Sequence, residues 1–334
     1  MPLLRRNLHT ERLTGGRPAP ARAPQVRRES EPPRVVWRFS DGKPGHDNQS
    51  LGLVDALQRR TRIHCYDIPV QPGAGRHLLL GRFPDGGLLP SPWLIIGAGH
   101  ATHLPMLAAR RARGGKTAVL MRPDLPRALF DLCVIPEHDR PRPAANIIVT
   151  RGSLNRMQAE RSQAQDRGLL MVGGPSRHYR WDHRRVVEQI AGVMRFSPVR
   201  HWVLTTSRRT PPGFAEQVRK TIFNRNLKLS FVSWRETSDQ WLGAQLRRCC
   251  CTWVTEDSVS MIYEALTAGL PVGLLAVPPR RNDRVVSGVR QLAAARNVMT
   301  YSDWSAGRPL PRPQQVFDEA NRVAGQICGR WGGE

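Results

Sequence analysis

Residues 252–277 run TWVTEDSVSMIYEALTAGLPVGLLAV. Thr252–Thr255 is a short apolar, β-branched run. Across Ser258–Ala268, Val259, Ile262, Ala265 and Leu266 recur at helical spacing, and Gly269 followed by Pro271 is a helix stop. Val272–Val277 is a second apolar run. Strand, helix, strand with short connections points to a parallel sheet, because parallel neighbours need a crossover and the crossover is usually a helix.

The same rhythm extends in both directions. Upstream, strand patterns at Val35–Phe39, Ile63–Ile68, Trp93–Ile96, Thr117–Met121, Leu132–Ile135 and Ile147–Val149 predict a first sheet. Helical patterns cover Asn48–Arg60 and the stretch from His100 to about Arg113. A second series starts near Gly168, with strands at Leu169–Val172, Trp202–Thr205, Lys228–Val232, Thr252–Thr255 and Val272–Val277. Its helices run from an Asp182 cap to about Arg195, then over Pro212–Phe223, Asp239–Arg248, Ser258–Ala268 and Val285–Arg296. The expected fold is α/β: two Rossmann-like domains, 35–160 and 168–310, whose parallel sheets face a cleft. Segment 311–334 holds a helix, about Gln314–Cys328, expected to cross back onto the first domain. Clefts at the carboxyl ends of parallel strands are where such folds bind ligands.

Composition narrows the function classes. The 334 residues contain 40% apolar and 23% charged residues, which are globular values. No apolar run approaches the roughly 20 residues that span a bilayer. The net charge is +24, and all but Lys43, Lys116, Lys220 and Lys228 of the 51 cations are arginines. These are scattered, without zinc-finger spacing or an RNA-binding aromatic motif, so no nucleic-acid partner is expected. Anionic substrates and contact with an anionic membrane surface fit the charge better. Residues 1–34 carry eight arginines against three glutamates with six prolines and no apolar period, and read as a disordered basic tail. Of six cysteines, three are consecutive and none forms a CxxC pair, which argues against a disulfide framework or zinc site and for a cytoplasmic location.

Three loops concentrate chemistry. The first, SDGKPGHDNQS at 40–50, follows a strand and precedes a helix. Asp41 and His46 are candidate acid–base groups, while Gly42, Gly45, Asn48 and Gln49 are candidates for acceptor binding. A tight turn capped by Asp47 or Asn48 explains the same residues. The second loop is GGPSRHYRWD at 173–182, with TTSRR at 205–209 ending the next strand. Gly173, Gly174, Ser207 and Arg208 suit an anion nest, against the alternative of ordinary strand–helix turns. The third is TEDSVSMIYEA at 255–265. There the first amides of a helix beginning at Ser258, with Val259 and Ser260, suit a diphosphate. Glu264 falls on the face of Ser260 and Thr267, placed for ribose hydroxyls or simply solvated.

Ser258–Val272 resembles the sugar-nucleotide motif of GT-B glycosyltransferases, including the lipid-linked N-acetylglucosaminyltransferase of peptidoglycan synthesis. Glu264, Ala265, Gly269 and Pro271 stand at the pattern's glutamate, alanine, glycine and proline. With 40–53 and 173–182 in the same order, the chain resembles the bacterial family named after the plant elongated-mitochondria fission factor. The resemblance implies a GT-B fold and sugar transfer from a nucleotide-diphosphate sugar to an envelope or lipid-linked glycan acceptor. It assigns ribose to Glu264, phosphate to the serine-rich helix start, and no cofactor beyond the nucleotide-sugar donor. No metal is expected, since helix amides and arginines neutralise a leaving diphosphate. The location implied is cytoplasmic, peripheral to the inner membrane face. A nucleotide-sugar epimerase and a non-catalytic interaction protein are the alternatives.

Overall fold

Leu94–Ala98, Leu132–Pro136 and Cys251–Thr255 are buried at every position. Strands covered on both faces have no solvent side to alternate with, which is why they read as unbroken apolar runs. The computed structural model describes residues 32–71, 74–83, 87–159, 166–223, 228–315 and 317–333. The expected basic tail therefore lies outside the described residues up to position 31, and Arg34 already belongs to the first strand. Pro33–Glu334 form one unit containing both sheets.

The first sheet orders β1 (Arg34–Ser40), β2 (Ile63–Pro69), β3 (Leu94–Ala98), β4 (Lys116–Leu120), β5 (Leu132–Pro136) and β6 (Ile147–Thr150) as β2-β1-β3-β4-β5-β6. The second orders β7 (Arg167–Val172), β8 (His201–Thr206), β9 (Leu229–Val232), β10 (Cys251–Thr255), β11 (Val272–Leu275) and β12 (Met299–Thr300) as β12-β11-β10-β7-β8-β9. Every pairing is parallel. Connections diverge between β1 and β3 in one sheet and between β7 and β10 in the other. Ligand crevices form at such switch points, and the three loops singled out above follow β1, β7 and β10.

The helices are α1 (Pro44–Gln58), α2 (Ala74–Leu80), α3 (His103–Arg113), α4 (His183–Phe196), α5 (Phe214–Phe223), α6 (Trp241–Arg247), α7 (Val259–Thr267), α8 (Arg284–Ala294), α9 (Tyr301–Ser305) and α10 (Glu319–Trp331). Helix α1 starts four residues before the expected Asn48. Lys43 takes the cap position and Pro44 the first helical one, where its fixed φ is already helical and its missing N–H costs nothing. Asp47 and Asn48 are thus interior residues, not caps. Asp182 caps α4 as expected, its side chain accepting from Arg185 N.

Helix α10 packs on the first half. Val323, Ala324 and Ile327 are fully buried in one cluster with Val36, Leu53, Leu57 and Leu94. The carbonyl of Trp331 accepts from Arg34 Nη1 at 2.8 Å and Trp93 Nε1 at 3.1 Å. The described start of the link between the sheets, residues 151–159, runs between α1 and α7. Gly52 on α1 lies so close to the Asn155 carbonyl that a Cβ would collide with it, and Arg156 pairs with Asp55 at 2.8 Å. On the α7 side Asn155 Nδ2 donates to Thr267 Oγ1 at 3.0 Å, and Gly152 packs on the Tyr263 ring.

Candidate functional site

The loop after β1 builds a histidine–aspartate pair. Asp41 Oδ2 lies 2.9 Å from His46 Nδ1, and their side chains are 5% and 20% exposed. Lys43 Nζ stands 3.2 Å from the same carboxylate. Burial pushes the Asp41 carboxyl up, but hydrogen bonds from His46 and Lys43 outweigh it, and its pKa is lowered. An ionised Asp41 only accepts, so Nδ1 carries a proton towards it, and in the neutral tautomer this leaves Nε2 as the acceptor. Gly99, after β3, makes room for this ring: a Cβ there would overlap the imidazole.

Next to this pair, Asp47 is committed elsewhere. It accepts from buried Arg38 at 2.8 Å and from Ser40 Oγ at 2.6 Å, and Arg38 also binds Asp67 through two nitrogens. A buried guanidinium needs such pairing. Of the predicted acceptor residues, Gly42 (φ +72°) turns the chain and Gly45 is exposed. Gln49 is buried and bonds back to the Gly45 carbonyl at 3.3 Å. Asn48 faces the other half: its Nδ2 donates to Glu264 Oε1 at 2.7 Å.

Glu264 is buried, which corrects the solvated reading of that helix face. Its carboxyl is pushed up to about 7 by desolvation, opposed only by the Asn48 hydrogen bond. The polar face of α7 divides. Ser260 is exposed at the helix start, whereas Thr267 is buried and bonded to Asn155 and the Phe317 carbonyl. The Ser258 side chain makes no capping bond to the first-turn amides of α7. Val259 is half-buried beside it.

The glycine loop after β7 corrects the anion-nest expectation. Gly173 N donates to Thr255 Oγ1 at 2.8 Å and Gly174 N to Asp257 Oδ2 at 3.0 Å, so neither amide is open to an anion. The missing Cβ of Gly173 instead admits the Asp257 and Ser258 side chains. Ser207 is absorbed by its own turn, its Oγ accepting from Arg209 N, and the Arg208 guanidinium sits 5.4 Å above Trp234. Arg209 is the cation at the site: Nη2 lies 2.7 Å from Asp257 Oδ2 and 2.9 Å from Ser258 Oγ. Sequence reasoning placed Arg209 in the right loop but not in this role, and missed Asp257. A second pair, His178 Nδ1 to Asp283 Oδ2 at 2.6 Å, joins the loops after β7 and β11, and that bond leads the effects lowering Asp283 to about 2. Among the described residues no cluster of His, Cys, Asp and Glu is placed to hold a metal, and no helix is long and apolar enough to cross a membrane.

The family profile of mitochondrial fission ELM1 matches residues 44–331, spanning all three loops but for the start of the first. The chain belongs to this family. No curated protein matches it by sequence. Among solved structures, it is similar to a candidate UDP-N-acetylglucosamine 2-epimerase from Listeria monocytogenes, with TM-score 0.58 and 13% identity over 91% of this chain and 98% of that one. The UDP-GlcNAc 2-epimerase of Methanocaldococcus jannaschii follows at TM-score 0.49 and 12% identity, covering 88% of this chain and 99% of that one. The calicheamicin glycosyltransferase CalG4 has the same TM-score and identity, over 91% and 99%. At such identities the likeness speaks for the fold: this member of the ELM1 family has the GT-B architecture.

Proposed function

We propose that this protein binds a nucleoside-diphosphate sugar against α7 and transfers the sugar to an acceptor hydroxyl held near α1. The carrying observation is that one helix, α1, presents both the Asp41-oriented His46 and the residue that touches Glu264. In this reading Glu264 accepts from ribose hydroxyls, and the first turn of α7, with Ser258, Val259 and Ser260, receives the diphosphate. His46 Nε2 takes the acceptor proton. The acceptor oxygen bonds to the anomeric carbon as the bond from that carbon to the phosphate oxygen breaks. The nucleoside diphosphate leaves with its charge facing the α7 amino end and Arg209. The UDP-GlcNAc named for the structural neighbours makes UDP-sugars the first donors to try. The net charge of +24 favours an acceptor carried on an anionic glycan or lipid.

A non-catalytic interaction protein is the second reading, favoured by the internal bonds that already occupy Gly173, Gly174 and Ser258. Calorimetric titration of UDP and UDP-GlcNAc, followed by product analysis with and without glycan acceptors, separates the cases. Transfer to an acceptor, lost in His46→Ala, supports the first. Binding with no product supports the second. A new sugar nucleotide formed without any acceptor would replace both with epimerisation.

A further inference from the structure

Helices α1 and α7 are joined firmly at one end and lightly at the other. Near the link, Gly52 abuts Asn155, Arg156 bridges to Asp55, and Asn155 bonds Thr267. At the cleft end Asn48 Nδ2 donates to Glu264 Oε1 at 2.7 Å, the one hydrogen bond between the two helices among the described residues. Among the described residues Asn48 is also the only hydrogen-bond partner of the Glu264 carboxyl, and the residue as a whole is 8% exposed. A ribose diol cannot pair with both carboxyl oxygens while Asn48 occupies Oε1.

From this arrangement, and resting on the donor reading above, we infer that Asn48 is a positioning residue that reports donor occupancy to the acceptor side. It holds Glu264 while the donor site is empty. When ribose hydroxyls take the carboxylate, Asn48 is released, the cleft end of α1 moves, and the freed amide turns to the acceptor. Two hydroxyl donors to a carboxylate outweigh the single amide they replace. His46 lies two positions away on α1, so the same movement repositions its imidazole relative to the leaving group. Donor binding would thereby precede productive acceptor binding.

The test is UDP titration into the wild type and Asn48→Ala, with amide hydrogen exchange of Gly45–Ser50 measured with and without UDP. Alanine favours the helix, so α1 persists in the variant. Removing the competitor should tighten UDP binding about 2- to 10-fold, the worth of one hydrogen bond. UDP should accelerate exchange across Gly45–Ser50 in the wild type but not in the variant, where the end of α1 is already free. Unchanged or weaker UDP binding in Asn48→Ala, or exchange that UDP leaves unaltered in the wild type, would overturn the coupling alone. UDP binding to neither protein would overturn the donor site of the proposed function, and the coupling with it.

Discussion

Gly99 and His46 are in contact across the switch point of the first sheet, with the glycine at φ +85° and ψ 156°. That backbone region is essentially reserved for glycine, and a Cβ would also enter the imidazole. Gly99→Ala is therefore expected to cost about 1–3 kcal/mol and to push His46 off Asp41. Turnover should fall while donor affinity holds, since the donor contacts lie on the other half. Chemical denaturation and calorimetry on the same samples would check both; a variant with wild-type turnover would remove Gly99 from the support of His46.

Asp41 gives the pair a pH signature. Its carboxyl is lowered in the folded protein, with the His46 and Lys43 hydrogen bonds overcoming burial. A depressed carboxyl contributes stability above its unfolded pKa of about 3.9 and loses it as pH falls through the folded value. Asp41→Asn should flatten that acid limb of the stability curve. By releasing the His46 tautomer it should also cut turnover roughly 10²-fold or more. Unfolding midpoints from pH 2 to 5 test the first expectation, and the pH–rate profile tests the second.

Glu264 has the opposite sign. Its folded pKa is raised by desolvation from 4.5 to about 7, so the folded state binds the proton more tightly than the unfolded one. Its contribution is fully present below about pH 4.5 and declines as pH rises through 7, by on the order of 3 kcal/mol when complete. Glu264→Gln, neutral throughout, should lose this decline while still accepting from Asn48. Ligand hydroxyls favour the carboxylate, so UDP binding near pH 6.5 should release protons, seen as a heat that varies with buffer ionisation enthalpy. A buffer-independent heat would mean that the ligand does not reach Glu264.

The fold was legible because strands such as Leu132–Pro136 are buried on both faces and α7 ends at Gly269. The candidate site was legible in parts. The chemistry-rich loops stand out by residue type, and Asp41 and His46 do come together within one of them. What pairing across distance decides was not legible. Asn48 meets Glu264 216 positions away, a contact that no periodicity encodes. Gly173 and Gly174 looked like an anion nest because glycines open a backbone, yet Gly173 makes room for the Asp257 and Ser258 side chains and Gly174 for the backbone of Arg209. The start of α1 was misplaced because glycine and proline beside Lys43 suggest a turn, although proline is equally at home at a helix's first position. The short α2, β12 and α9 lack enough residues to show a period.

Arg209 and Asp257 supply the last expectation, because they are unequally buried. The Asp257 side chain is 0% exposed and the Arg209 side chain 40%. Asp257 Oδ2 takes both the guanidinium and Gly174 N, while Oδ1 has no partner. Removing the arginine leaves a carboxylate stranded away from water, which typically costs about 3–5 kcal/mol. Removing the aspartate leaves an arginine that reaches solvent and one unpaired Gly174 amide, about 1–3 kcal/mol. Arg209→Ala should therefore be the more damaging change, although its side chain is the more exposed. The double variant Arg209→Ala/Asp257→Ala should recover much of that loss, since it has no stranded charge. Urea unfolding of the three variants gives the cycle directly. Equal single costs that add in the double variant would mean that the pair does not hold the loops after β8 and β10 together.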